Sequence, residues 1–416
     1  MRTIKGSNIL QVKNHNRQAI LLQLLRSPLS RVEIAHKLGL SAMTVTNQVN
    51  QLLAEGWVVL DDQNSDAMFH SSGRGRPRTQ LRINSQASYV FGVHIGIGSY
   101  RIALVDLVGT MIECIDRIFD TKSEAALVIS DIATSIQAFI SSMSLKHEQI
   151  LGVGFGASGL VDAEQGINVL APSLGWQDVP VANLLSAQIA LPVVIENNVR
   201  AMALAEAYFG QGQHVESLAF IFGRIGVGAG LVMQGRVVRG IGAGAGEIGH
   251  TTIIPKQGAL CRCGQHGCLE TLVTQPTLVQ NLMPFPSIAK ALRDEPQVIK
   301  QLEYILQLAR SDKQEVMQEI EQVTYYLGIA LSNLVNTLNP QRIIMGGMYA
   351  QGADLFLPRL RQHVAQSAFA GLGEHVQIES TTFGLDAGVI GAASTALAHL
   401  FYESDQTSTK GSTLSS

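Results

Sequence analysis

Residues 89–109 read YVFGVHIGIGSYRIALVDLVG. An apolar run rich in β-branched and aromatic side chains breaks at a glycine-bearing turn and resumes as a second apolar run, the pattern of two adjoining strands. A related unit, ILGVGFGASGLVD, occupies residues 150–162 beyond a helical stretch at 124–143, and a third glycine-rich stretch spans 219–246. Strands that alternate with helical segments and end in glycine turns point to a large α/β interior. Backbone N–H groups in such turns can cradle phosphates. Glycines also serve tight turns and close packing, so the repeats leave both uses open.

The bulk composition agrees. A chain of 416 residues exceeds one compact core, and 46% hydrophobic residues, 15% charged residues and 40 glycines exclude a disordered protein. The first residues carry no apolar signal region. The longest apolar stretch, near 383–401, is broken by Asp386 and His399 and reads as a buried helix, not a membrane span. A cytoplasmic protein without membrane contact is expected. The net charge of −3 hides an asymmetry: residues 1–82 carry eleven Lys/Arg against five Asp/Glu, or +6, which leaves −9 for the remainder. A basic head on an acidic body suits a nucleic-acid-binding module joined to a metabolic domain.

The head has its own signature. Residues 17–26 place Ile20, Leu21, Leu24 and Leu25 at helical spacing. After Ser27-Pro28, Ser30 and Glu33 form a capping-box pattern. A short helix then stops at Gly39, and Ser41 caps a further helix over 42–55 whose inner face is marked by Val45, Val49, Leu52 and Leu53. Helix, glycine turn, helix is a helix-turn-helix. The second helix of such a pair enters the major groove, which makes Ser41, Thr44, Thr46, Asn47, Gln48 and Gln51 candidates for base and phosphate contacts. Trp57 to Leu60 and Gln80 to Asn84 flank a loop that holds Arg74, Arg76 and Arg78. This reads as a wing whose Arg74 and Arg76 can reach a minor groove.

Three of the four cysteines lie in the run Cys261-Arg262-Cys263-Gly264-Gln265-His266-Gly267-Cys268, and His250 stands eleven residues before the first. One imidazole and three thiolates complete a tetrahedral Zn²⁺ set and leave no open position for a catalytic water, so the metal reads as structural. Clustered cysteines in a cytosolic chain favour metal over a disulfide. His266 is an alternative fourth ligand, although its closeness to Cys268 makes His250 the better choice.

Residues 14–17 (NHNR), the helix pair of 30–53 and the Gly-Arg-Pro-bearing wing resemble the head of ROK-family regulators, and the resemblance extends to about residue 400. The run from Gly249-His250 through Cys261, Cys263 and Cys268 to Glu270 matches the zinc motif of that family. The resemblance implies an α/β architecture. A winged helix-turn-helix at 1–82 precedes a two-lobed actin-like, sugar-kinase-like ROK body at 83–402. Its lobes are expected near 83–197 plus 384–402, and at 198–383; the polar residues 403–416 read as a disordered tail.

Set beside the family's kinases, the chain departs at three turns. His94 stands where an Asp helps hold magnesium, and imidazole is a poor ligand for that hard cation. Asn198, in Glu196-Asn197-Asn198, replaces the Asp that takes the proton of the attacking hydroxyl, and an amide cannot accept it. Ile225, preceded by Arg224, replaces a hydroxyl-bearing residue. No kinase activity is therefore expected. The sugar-binding positions implied by the family are Asn197, Asn198, Glu247, His250 and Glu270. The expected protein is a repressor of carbohydrate genes that binds a sugar effector, and palindromic double-stranded operator DNA as a homodimer or homotetramer. The alternatives are a repressor controlled by a protein partner such as a transport-system component, and an active sugar kinase.

Overall fold

The computed structural model describes residues 9–61 and 79–403. The wing arginines Arg74 and Arg76 and the tail of 404–416 lie outside these residues.

The head comprises α1 (Ile9–Arg26), β1 (Leu29–Ser30), α2 (Arg31–Leu38), α3 (Ala42–Ala54), β2 (Val58–Leu60) and β3 (Gln80–Ile83). The Ser30–Glu33 capping box is formed, with the Glu33 carboxylate accepting the Ser30 N–H at 2.7 Å, and Gly39 ends α2 in the left-handed region at φ 63°. The Ser41 hydroxyl opens α3 by accepting the Thr44 N–H at 3.1 Å. Helix α1 begins at Ile9, well before the apolar spacing of 17–26. Its first turns are largely exposed and so carry no apolar stripe to read. The sheet order is β1-β3-β2, and β1 was not legible because two residues show no alternation.

The first lobe of the body contains β4 (Tyr89–Gly96), β5 (Ser99–Asp106), β6 (Met111–Ile118), α4 (Ala125–Ser142) and β7 (Ile150–Ala157). The small strands β8 (Leu160–Asp162), β9 (Ile167–Ala171) and β10 (Trp176–Val179), with α5 (Val181–Ile189) and β11 (Val193–Asn197), complete it. Its main sheet runs β11-β7-β4-β5-β6. Because β4, β7 and β11 are parallel, their C-terminal ends lie side by side, with His94, Gly156 and Glu196 in one register row.

Helix α6 (Asn198–Phe209) leads into the second lobe, whose sheet runs β14-β13-β12-β15-β16. Its strands are β12 (Ser217–Gly223), β13 (Val227–Met233), β14 (Arg236–Val237), β15 (Arg342–Gly347) and β16 (Gln377–Ser380). The parallel pair β12 and β15 brings Gly223 opposite Gly347 at its C-terminal end. A large apolar core joins this sheet to α7 (Glu270–Val273), α8 (Gln275–Leu282), α9 (Pro286–Asp294), α10 (Val298–Arg310), α11 (Gln314–Leu338), α12 (Met348–Gln351), α13 (Ala353–Ser367) and α14 (Leu372–His375).

Helix α15 (Ala387–Leu397) is buried at every residue and packs on β4, β7 and α6. The glycines of the opening stretches allow that approach. A Cβ on Gly92 would sit 2.3 Å from the Val389 carbonyl oxygen, and one on Gly154 would sit 1.8 Å from that of Ala392. These two glycines therefore serve helix packing and not phosphate binding. The segments Ala125–Ser142 and Gly384–Tyr402 are long and apolar enough to cross a membrane by composition. Here the first packs against α5, and the second fills the centre of the body.

One apolar cluster runs from head to body without a break. Leu52, Val58 and Leu81 of the head share it with Val90, Leu397 and Phe401 of the body. A π-helical turn, Ala398–Tyr402, extends α15 and sets Phe401 against Trp57, with ring centroids 4.8 Å apart. The Arg17 guanidinium covers Trp57 at 4.7 Å and pairs with Glu55, just past the end of α3.

Candidate functional site

The DNA-facing candidates divide by packing. Ser41 and Asn47 are exposed, while Thr44, Thr46 and Gln51 are half-buried. Ser41 and Thr44 share a hydroxyl contact at 2.9 Å, and the Gln51 amide donates to Glu55 at 2.8 Å. Gln48 is a correction: it is 5% exposed and turned into the head, not towards DNA. It stands three residues after Val45 and four before Leu52, which puts it on the buried stripe.

Between the lobes, Glu196, Asn197 and Asn198 lie where β11 passes into α6. Glu196 is fully buried, and its two carboxylate oxygens accept from Arg200 at 2.8 Å and Arg239 at 2.7 Å. Arg200 is also buried. Buried charges of this kind persist because each is paired and hydrogen-bonded. In the sequence the signal for this pair is an acid four residues before an Arg at a helix entry. Asn197 caps α6, its amide oxygen accepting from Val199 and Arg200 N–H while its NH₂ donates to the Gly159 carbonyl at 2.9 Å. Asn198 follows as the first helical residue, half-buried.

Glu247 and His250 stand on a loop stitched to β13 by the Ala229 N–H to Gly246 carbonyl bond at 2.7 Å. Glu247 is exposed and His250 half-buried. Glu270 is 7% exposed and already engaged: it accepts from the Val227 N–H at 3.2 Å and forms a two-pronged pair with Arg262 at 2.6 and 2.8 Å. A bound hydroxyl would share or displace that guanidinium.

The ligand atoms of His250, Cys261, Cys263 and Cys268 all lie within 4.8 Å of one another. His250 Nδ1 is 3.6 Å from the Cys261 sulfur, and the Cys263 and Cys268 sulfurs are 3.7 Å apart. Ligands about 2.0–2.3 Å from a tetrahedral Zn²⁺ stand about 3.5–3.8 Å from each other, so the donor set fits. His266 is exposed and lies outside this cluster, its ring nitrogen 3.0 Å from the Gly258 carbonyl oxygen. Burial pushes the Cys268 thiol up to about 12, while the Gln265 backbone N–H holds Cys263 below its ordinary value. Cys114 is half-buried with its sulfur 3.6 Å from Arg101.

His94 lies near the C-terminal end of β4. Burial, with the nearby cations Arg101 and Arg224, lowers its imidazole to about 4, so the ring is neutral at pH 7. Its Nε2 is buried without a hydrogen-bond partner. Arg224 and Ile225 form the exposed part of the turn between β12 and β13. Ile225 also borders an apolar cavity of about 400 Å³ with Pro276, Val279 and Met283.

A winged helix-turn-helix DNA-binding model matches residues 13–59. Over 392 residues the chain is 29% identical to the xylose repressor of Bacillus subtilis (strain 168), covering 93% of this chain and 96% of the relative. A crystal structure of a ROK family transcriptional regulator, homolog of the E. coli MLC protein, superposes with TM-score 0.77 at 25% identity, covering 94% of this chain and 97% of the other. A ROK family glucokinase from Streptomyces griseus, in complex with glucose and AMPPNP, covers 74% of this chain and 98% of its own at TM-score 0.62 and 26% identity. The kinase likeness thus covers about three quarters of this chain, whereas the regulator likeness covers nearly all of it. With the ROK family model matching residues 90–399, the chain belongs to the ROK family.

Proposed function

We propose that this chain is a DNA-binding transcriptional repressor of carbohydrate uptake or metabolism genes, controlled by a sugar or sugar derivative in the interlobe cleft. The observation that carries this reading is the unbroken packing path from cleft to head. Helix α15 begins beside His94 and Arg101 and ends, through its π-helical turn, at Phe401 against Trp57. Any change in lobe closure is transmitted to α3 through packed groups. The ligand acts only through its different affinity for the two arrangements.

The body binds without phosphorylating. Asn198 offers an amide where a proton acceptor is needed, and His94 offers an imidazole in place of a magnesium-binding carboxylate. Asn197, Asn198, Glu247, His250 and Glu270 serve the sugar hydroxyls. A zinc ion held by His250 Nδ1, Cys261, Cys263 and Cys268 would supply a rigid clamp, leaving His250 Nε2 for the ligand and fixing Glu270 two residues beyond Cys268. In this reading residues 1–82 form the head, the body spans 83–402 in two lobes, and a cytoplasmic homodimer or homotetramer reads palindromic half-sites.

The test is operator binding by the zinc-loaded chain, titrated at fixed salt against a panel of pentoses, hexoses, N-acetylhexosamines and their phosphates. One sugar is expected to change operator affinity by about tenfold or more, ~1.4 kcal/mol. A flat response across the panel, or ADP release above background with any sugar, overturns the reading.

A further inference from the structure

The buried carboxylate of Glu196 has two guanidinium partners, and they reach it by different routes. Arg200 is four residues on, at the entry of α6, and its Nε donates to one oxygen at 2.8 Å. The Asn197 backbone N–H donates to the same oxygen, also at 2.8 Å. Arg239 stands two residues past β14, at the edge of the second lobe's sheet, and its Nε donates to the other oxygen at 2.7 Å. The first pair is contained in one turn of chain. The second ties the end of β11 to the second lobe.

Arg239 opens an arm, residues 239–246, that is rooted at both ends on β13. The Val238 N–H donates to the Leu231 carbonyl at 2.8 Å, and the Ala229 N–H donates to that of Gly246 at 2.7 Å. The Ala245 N–H donates to the Arg239 carbonyl at 3.0 Å and closes the arm on itself. The far root leaves no slack, since a Cβ on Gly246 would sit 1.9 Å from the Ala229 carbonyl oxygen. Midway, the turn Ile241–Ala243 lies against β8 of the first lobe.

Two sets of sugar-binding candidates meet at this ion pair. Glu247 follows the arm directly, and Glu196 directly precedes Asn197 and Asn198. Parting the two segments would withdraw one of two guanidinium groups from a carboxylate that is fully buried, and that carries a cost. A ligand that bridges Asn198 and Glu247 needs the segments together. Ion pair and ligand then favour the same arrangement, and each strengthens the other.

We infer that Arg239 is a positioning residue of the effector site: through its pair with Glu196 it fixes the arm, and with it Glu247, relative to the Asn197–Asn198 segment. This rests on the cleft being the effector site.

Calorimetric titration of the zinc-loaded full chain with xylose, glucose and N-acetylglucosamine tests this. For a sugar that binds the parent chain, Arg239→Met should weaken binding about tenfold, chiefly through faster dissociation. Arg239→Lys keeps a charge in reach of the carboxylate and should stay within about threefold of the parent. In a Glu247→Gln background, Arg239→Met should cost no more than about threefold, because the two side chains act through one arrangement. Without sugar, hydrogen exchange at the Ala245 amide should be about tenfold faster in Arg239→Met, and the ligand-free melting temperature reports that each variant is folded. Sugar affinity in Arg239→Met within twofold of the parent overturns the inference and leaves the sugar-controlled repressor in place. The same holds for a tenfold cost undiminished by Glu247→Gln, for no rescue by lysine, or for an unchanged Ala245 exchange rate. Failure of every sugar on the parent chain overturns both readings.

Discussion

The knuckle around Cys261 and the helix α3 are both recognition elements, and they are built in opposite ways. In the knuckle four side chains from two separate segments converge until their ligand atoms lie within 4.8 Å of one another. Along α3 and its cap six polar side chains diverge: Ser41 and Thr44 are taken up by the cap, Gln51 by Glu55 and Gln48 by the core, while Thr46 is half-buried and Asn47 projects outward. A metal ion dictates the identity and spacing of its ligands, so such a site is complete within the chain. A base-reading helix is completed only by its DNA, and the chain decides merely which face is presented.

The knuckle therefore gives the largest expected effect. The double variant Cys261→Ser, Cys263→Ser should lose the metal and destabilise the second lobe by on the order of several kcal/mol, because metal binding free energy is folding free energy here. Calorimetric melting checks the stability and metal analysis the loss of zinc. Sugar response should vanish, while operator binding at low temperature stays within about threefold of the parent, since the knuckle lies outside the apolar cluster that holds the head. A double variant that retains full sugar response would show that the knuckle does not shape the pocket.

What could be read from the sequence follows the same division. The helix pair, its capping box, the Gly39 stop and the knuckle are local patterns in which residue type and spacing carry the whole message. The burial of Gln48 was legible in principle, because positions 45, 48, 49 and 52 make one helical stripe, but a polar residue on that stripe reads as solvent-facing until the helix is packed. Long-range features were not legible. The Arg239 clamp on Glu196 joins residues 43 apart in sequence, and Arg101 reaches the Leu385 carbonyl across 284. The glycines of 89–109 and 150–162 leave phosphate cradling and close packing equally open, and only the position of α15 separates those uses at Gly92 and Gly154.

The head is joined to the body by the contact of Phe401 with Trp57, and that joint is the second way to sharpen the comparison. Trp57 meets Phe401 in a tilted ring contact and lies under the Arg17 guanidinium. Trp57→Ala should cost about 3 kcal/mol, at the low end for a large aromatic because Trp57 is only half-buried. Its diagnostic effect is a separation of functions: the sugar still binds the body by calorimetry, and operator affinity by fluorescence anisotropy no longer responds to it. If the response survives, the signal reaches the head by another route than α15.

The smallest effect lies within α3 itself, where two neighbouring amides face opposite ways. Asn47→Ala removes an exposed side chain, so melting should shift little, while operator affinity falls by about 1–3 kcal/mol per half-site if the amide reads a base. The loss should be concentrated on one base pair, since a phosphate contact would weaken all sequences alike. Gln48 should behave in the inverse manner. Its amide oxygen is buried with no hydrogen-bond partner, an arrangement that burdens the fold. Gln48→Leu keeps nearly the same volume, relieves the unpaired oxygen and should raise the melting temperature slightly without relaxing operator preference. Loss of operator preference in Gln48→Leu, with Asn47→Ala silent, would mean that α3 turns about its axis on meeting DNA and that the packed face seen here is not the one that reads.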